Sequence, residues 1–130
     1  MSLMLIDTSV WVAVLRGGAS AALEKKVAAA LTGGTAAMTE PVWVELYRGV
    51  RGKRDLGRLI ELRQLCQWLA FDADCWEATA NIARVCREKG VTVPLPDVMI
   101  FACARHYAVE LLHEDHHFRQ IARVAKSASK

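Results

Sequence analysis

The sequence predicts an α/β domain built on a mostly parallel sheet, and three observations carry that reading. Four short apolar runs, at residues 3–6, 36–38, 69–71 and 109–112, have the length and composition of buried strands. Stretches with apolar residues at helical spacing separate them, the alternation that builds parallel sheets. Acidic residues follow the first and last runs, and ligands of open parallel sheets bind beyond the carboxyl ends of the strands.

Taken in order, the first run, Leu3-Met4-Leu5-Ile6, stops at Asp7-Thr8-Ser9 and passes into an apolar helix-like stretch closed by Gly17-Gly18. Asp7 reads equally well as the cap of that helix and as a functional acid at a strand end. Leu23, Val27, Ala30 and Leu31 stripe a second helix ending at Gly33-Gly34. Thr39 as cap and Pro41 in the first turn open a third, with Trp43, Leu46, Tyr47 and Val50 as its apolar stripe. Glu45 falls off that stripe and shares a face with Gly49, so no side chain screens it from a phosphate backbone; a solvated surface Glu is the competing reading.

Leu56, Leu59, Ile60 and Arg63 suggest a fourth helix, and Trp76, Thr79, Ala80 and Ala83 stripe a fifth that ends near Gly90. Pro94 and Pro96 then break the chain rigidly, and a nearly all-round apolar helix begins at Asp97. A helix of that kind is buried. Asp97 therefore gains from the helix dipole and also points into the protein. The last run leads into His113-Glu114-Asp115-His116-His117 before a closing helix. Those five residues can be read as a zinc or nickel site, although no matching Cys or His cluster supplies the ligands of a closed site. They can also be read as a solvated turn.

If Asp7, Glu45, Asp97 and Asp115 converge at the strand ends, they repel one another and hold protons tightly unless a divalent cation neutralises them. Hard oxygen ligands favour magnesium or manganese. Carboxylate-held metal ions activate water and stabilise an in-line displacement at phosphorus, so no protein nucleophile is required. This agrees with the lack of a Gly-rich phosphate loop, a nucleophile elbow or a Cys set beside a catalytic His.

Leu-Ile-Asp7-Thr-Ser, Glu45-Leu-Tyr-Arg-Gly49, Pro96-Asp97-Val-Met-Ile and Asp115-His-His-Phe118 together resemble the PIN-domain family, and in length and spacing the VapC-type toxin ribonucleases. The resemblance runs from Leu5 to about Ile121. It implies a three-layer α/β/α domain with a central, mostly parallel sheet of four to five strands. It further implies a Mg2+- or Mn2+-dependent endoribonuclease with catalytic metal ligands Asp7, Glu45, Asp97 and Asp115, supported by Ser9, whose products carry a 5′-phosphate and a 3′-hydroxyl. The implied partners are RNA, a small antitoxin that blocks the acidic pocket with a basic side chain, and a second copy in a homodimer. The family usually has Thr or Ser two residues before the fourth acid; His113 stands there, so that hydroxyl is missing.

A chain of 130 residues is the size of one domain, spanning residues 1–130, with a polar tail from 126 and Met4 as an alternative start that leaves residues 1–3 as an addition. The net charge of +3 permits RNA binding but requires a local basic surface. Arg48, Arg51, Lys53 and Arg54, with Arg58 and Arg63 beyond, are the candidates, against the reading of an ordinary solvated helix face. Cys66, Cys75, Cys86 and Cys103 form no CxxC pair and read as reduced and structural. No run approaches a membrane span or a signal peptide, which predicts a cytoplasmic protein. The tryptophans read as core or interface anchors, and the apolar surface around Trp43 and Tyr47 leaves room for a partner helix. A PIN-like nuclease of RNA maturation or DNA flap processing, and a non-catalytic binding module, are the alternative functions.

Overall fold

The computed structural model describes residues 2–126, and the tail beyond Lys126 lies outside the described residues. Four short strands form one parallel sheet in the order β3-β2-β1-β4: β1 (Met4–Ile6), β2 (Ala36–Met38), β3 (Gln67–Trp68) and β4 (Glu110–Leu112). Met4 pairs with Ala36 on one side and Glu110 on the other, and Met38 pairs with Trp68. Seven helices accompany the described strands: α1 (Thr8–Arg16), α2 (Ala21–Thr32), α3 (Glu40–Arg48), α4 (Lys53–Leu65), α5 (Ala73–Glu88), α6 (Leu95–His106) and α7 (His116–Ala125). They pack as two groups, α1 to α4 and α5 to α7, flanking the sheet in α/β/α layers, with α3 meeting α6.

The chain steps outward from β1 through β2 to β3, then returns to add β4 on the other side of β1. That reversal creates a crevice at the carboxyl ends of β1 and β4. The inner strands are apolar throughout because helices cover both faces: Leu5, Ile6, Ala36, Ala37 and Met38 are fully buried. Asp7 accepts from Ser9 N–H to start α1, and Gly17, at φ 78°, lets the chain turn so that Gly18 N–H reaches Ala13 O at 2.8 Å.

Several expected boundaries shift. The third strand occupies residues 67–68 rather than 69–71, because Leu69 N–H makes the last bond to Met38 O and Phe71 N–H then turns to the Glu40 carboxylate. The buried face of α3 is Pro41, Val42 and Leu46, not the stripe through Tyr47, which is 51% exposed; Trp43 is half-buried. In α5 the buried row is Cys75, Thr79, Ile82 and Cys86, and Trp76 is 56% exposed, so only Trp11 among the tryptophans is fully in the core. Ile60 of α4 faces solvent and the burial falls on Leu59 and Leu62. Helix α6 begins two residues before Asp97, placing that acid in its first turn rather than at its cap. Thr39 opens α3 without a side-chain capping bond. All four cysteines are free, three of them buried.

Candidate active site

Each acid is positioned by a different local route. Asp7 is the first residue after β1, and its backbone N–H bonds to Leu112 O of β4 at 3.0 Å, so both strands fix it. Its carboxylate, 3% exposed, accepts from the Ser9 hydroxyl and from Ser9 N–H at 3.2 Å. Glu45, midway along α3, is held by the Thr8 hydroxyl, which donates to Oε1 at 2.7 Å. Asp97 enters from the first turn of α6. Asp115 caps α7 by accepting from His117 N–H at 2.9 Å, and its Oδ1 also faces His116 Nδ1 at 3.5 Å. The cap reading of Asp7 is thus realised, and the same side chain is buried at the end of β1.

Three of the acids are near enough for their charges to matter to one another. Burial pushes the Asp7 carboxyl above its ordinary value; Ser9 and Thr8 oppose this by hydrogen bonding the charged form, and the Asp115 charge adds to the rise. Burial also raises Asp97, reinforced by the charges of Asp7 and Asp115 and opposed by His117. Asp7 and Asp97 both feel the Asp115 charge, Asp97 also feels that of Asp7, and the fourth acid, Glu45, is hydrogen-bonded to Thr8, the residue beside Asp7. Such a set is costly as a bare cluster and suits a hard divalent cation.

Two contributors escaped the sequence reading. Thr8 was visible only as one of two hydroxyls after Asp7, and nothing local links it to Glu45, 37 residues away. In the sequence His117 is one residue of a histidine-rich turn; in the structure its Nδ1 lies 3.0 Å from Asp97 Oδ2 and 3.1 Å from Asp115 Oδ1, between the two acids. Of the zinc or nickel candidates, Asp115, His116 and His117 offer donors close together, whereas Glu114 is exposed and His113 stacks on Phe118 with ring centroids 4.9 Å apart. His113 therefore fills space against α7 where a hydroxyl was expected.

Glu45 also lines two grooves. One, between α1, α3 and α4, includes Val12, Leu15, Leu46, Gly49 and Arg58; the other includes Val44, Arg48, Phe71, Trp76 and Met99. Gly49 does lie on the Glu45 face, as its spacing predicts. Arg48, Arg51, Lys53, Arg54 and Arg58 are exposed along the end of α3 and the start of α4. Arg63 is committed elsewhere, stacked 4.6 Å from the Trp43 ring and 4.4 Å from that of Trp68.

The family model of the PIN domain matches residues 4–124, nearly the whole described chain. The chain belongs to the PIN-domain family. Ribonuclease VapC11 of Mycobacterium tuberculosis and VapC ribonuclease Mb1587 of Mycobacterium bovis are each 33% identical to it over 127 residues, covering 94% of this chain and 93% of the relative. Among solved structures, FitAcB from Neisseria gonorrhoeae superposes with a TM-score of 0.77 at 18% identity, covering 92% of this chain and 94% of that one. VapBC2 from Rickettsia felis, solved on a promoter DNA fragment, gives 0.76 at 15% identity and covers 94% of this chain and 92% of its own. At such identities the two structures speak for the fold of this PIN domain: a four-stranded parallel sheet flanked by helices.

Proposed function

We propose that this PIN domain is a metal-dependent endoribonuclease, the toxin of a VapBC-type pair, with Asp7, Glu45, Asp97 and Asp115 as its metal ligands and Ser9 as the support of Asp7. The placement of the acids carries the reading: His117 Nδ1 lies within 3.1 Å of both Asp97 and Asp115, the Asp115 charge adds to the rise of Asp7 and Asp97, and Thr8 ties in Glu45. The VapC ribonuclease relatives support RNA as the substrate. Bound Mg2+ or Mn2+ would supply charge neutralisation and an activated water for phosphodiester hydrolysis. The protein's own part is to hold the oxygens in place: Ser9 and its backbone fix Asp7, Thr8 fixes Glu45, and the helix cap fixes Asp115.

The antitoxin partner is supported by the VapBC complexes among the structural neighbours. The apolar groove of Val12, Leu15, Leu46 and Val50, with Glu45 at its edge, suits an amphipathic partner helix carrying a basic side chain toward the acids. The second groove, around Val44, Phe71, Trp76 and Met99, is the face we assign to the homodimer. No described helix is long and apolar enough to cross a membrane.

The test is cleavage of total RNA with Mn2+ by antitoxin-free protein, comparing wild type with Asp7→Asn and Asp97→Asn. Cleavage that requires metal and disappears in both variants is expected. A folded wild type that binds no Mn2+ would show the acid site to be misread; one that binds Mn2+ and cuts no RNA would favour a non-catalytic binding module.

A further inference from the structure

A second set of donor atoms, of different chemistry, comes together where α5 begins and α6 ends. Asp72, Cys75 and His106 each present one ligand atom, and the three atoms lie within 4.8 Å of one another. Asp72 caps α5, Cys75 sits one turn in, and His106 is the last residue of α6, so the set marks the open end of the hairpin these two packed helices make. His106 lies nine residues along α6 from Asp97, about 13 Å by helical rise. Asp72 Oδ1 accepts the Cys75 N–H at 3.0 Å, which fixes the carboxylate and leaves Oδ2 facing His106 Nε2 at 3.6 Å. That gap is too long for a hydrogen bond. It matches two ligands on one tetrahedral ion, roughly 3.3–3.6 Å apart for bonds of about 2.0–2.2 Å. Cys75 is fully buried, with Sγ 3.9 Å from the Ala70 carbonyl, and the Tyr107 hydroxyl donates to that same carbonyl. The Asp72 and His106 side chains are partly exposed, which gives an ion a way in from solvent.

We propose that Asp72 Oδ2, Cys75 Sγ and His106 Nε2 form a Zn2+ site that clips the open end of the α5–α6 hairpin. One thiolate, one imidazole and one carboxylate are the donor types zinc takes, whereas Mg2+ has little use for sulfur. The four acids described above offer oxygen alone, so the chain carries two sites that select different metals. Three protein ligands leave the fourth tetrahedral position to a water molecule. As the Zn–S bond forms the S–H bond breaks, and the proton goes to solvent. The ion holds the folded hairpin and finds no such set in the unfolded chain, so it stabilises the domain by mass action. Phe71 and Trp76, which flank Asp72 and Cys75 in sequence and stack edge to face at 4.8 Å, line the second groove beside Glu45, so the clip also fixes one wall of that groove. The inference is independent of the nuclease reading, because no cysteine belongs to the acid set.

The experiment is Co2+ titration of the whole chain, metal-free and reduced with a non-thiol reductant, in excess Mg2+, for wild type, Cys75→Ala, His106→Gln and Asp72→Asn. Cobalt stands in for zinc, and its thiolate charge-transfer band in the near ultraviolet reports a bound cysteine, which the acid site cannot produce. Wild type should develop the band, Zn2+ should abolish it by displacement, and Zn2+ should raise Tm. Cys75→Ala should lose both the band and the Tm rise. Loss of a group that only supports a ligand costs about 10–100-fold in affinity, so His106→Gln and Asp72→Asn should bind Co2+ at least about tenfold more weakly. These two partly exposed positions keep the test sound if Cys75→Ala fails to fold, and Asn at position 72 still caps α5. A folded wild type that gives no band would overturn the proposal. So would a band that survives in Cys75→Ala, or unchanged affinity in His106→Gln and Asp72→Asn, since either places the ion on another thiol.

Discussion

Asp7 and Asp72 both start a helix with a carboxylate cap, Asp7 accepting from Ser9 N–H at 3.2 Å and Asp72 from Cys75 N–H at 3.0 Å. Their charged states fare differently. The Cys75 N–H holds the exposed Asp72 carboxyl below its ordinary value, outweighing the desolvation it suffers, and His106 at 3.6 Å adds attraction. For Asp7, burial outweighs the bonds from Ser9 and Thr8, and Asp115 repels it. The same local motif is therefore relaxed in one place and loaded in the other, and what loads it is the set of neighbours brought by other segments.

Helix α3 repeats the contrast over a single turn and a half. Glu40 is fully engaged, with Trp68 Nε1–H donating at 2.7 Å and Phe71 N–H at 2.6 Å, and these bonds together with Arg63 outweigh its burial to hold the carboxyl below its ordinary value. Glu45 receives only the Thr8 hydroxyl among the described hydrogen bonds, which leaves acceptor positions open. One acid fastens the β3 edge to α3; the other is presented.

The largest effect expected from this contrast is on catalysis. Glu45→Gln should lower RNA cleavage by at least about a hundredfold, the upper range for losing a group that merely supports a metal site, while Tm stays near wild type. Glu40→Ala should do the reverse, costing about 1–3 kcal/mol in chemical unfolding with the cleavage rate of the folded fraction within a few-fold of wild type. Interchanged outcomes would break the comparison.

A smaller effect is the pH dependence of stability without metal. A carboxyl raised in the folded state favours folding when protonated, so the contribution of Asp7 and Asp97 is present at acid pH and is lost as pH rises through their folded values. Asp97→Asn should accordingly raise the Tm of the metal-free protein at neutral pH and flatten its rise on mild acidification. Asp72 has a lowered value, so its contribution is present at neutral pH and lost only as pH falls through that lower value; Asp72→Ala should lower Tm at neutral pH and leave cleavage unchanged. Thermal melts across pH in chelator measure both, and an Asp97→Asn protein that melts below wild type would contradict the loaded-site account.

The smallest effect concerns the exposed cations of α3 and α4. Replacing Arg51, Lys53 and Arg54 by Ala should weaken RNA binding and reduce the slope of log affinity against log salt by about 2, at ~0.7 per phosphate on a single strand. An unchanged slope in filter-binding measurements across a salt series would make the segment an ordinary solvated face.

Much of this molecule is local and was legible as such. The apolar runs at β1, β2 and β4, the Gly17 and Gly33 stops, the Pro94 break and the four acids follow from residue types within a turn or a strand of one another. Tertiary structure decided the rest. The third strand ends early because the Glu40 carboxylate captures Phe71 N–H, a partner 31 residues away. The buried faces of α3 and α5 rotate because the core selects Val42 and Cys75 over Tyr47 and Trp76. His117 becomes a partner of Asp97 only when α6 and α7 meet across 20 residues. Periodicity, caps and breaks are set by interactions a few residues apart, which any segment carries with it. Burial and Coulomb forces depend on which segments become neighbours, so the sequence determined which residues are acids at element ends, and only the fold decided that they share one charge field.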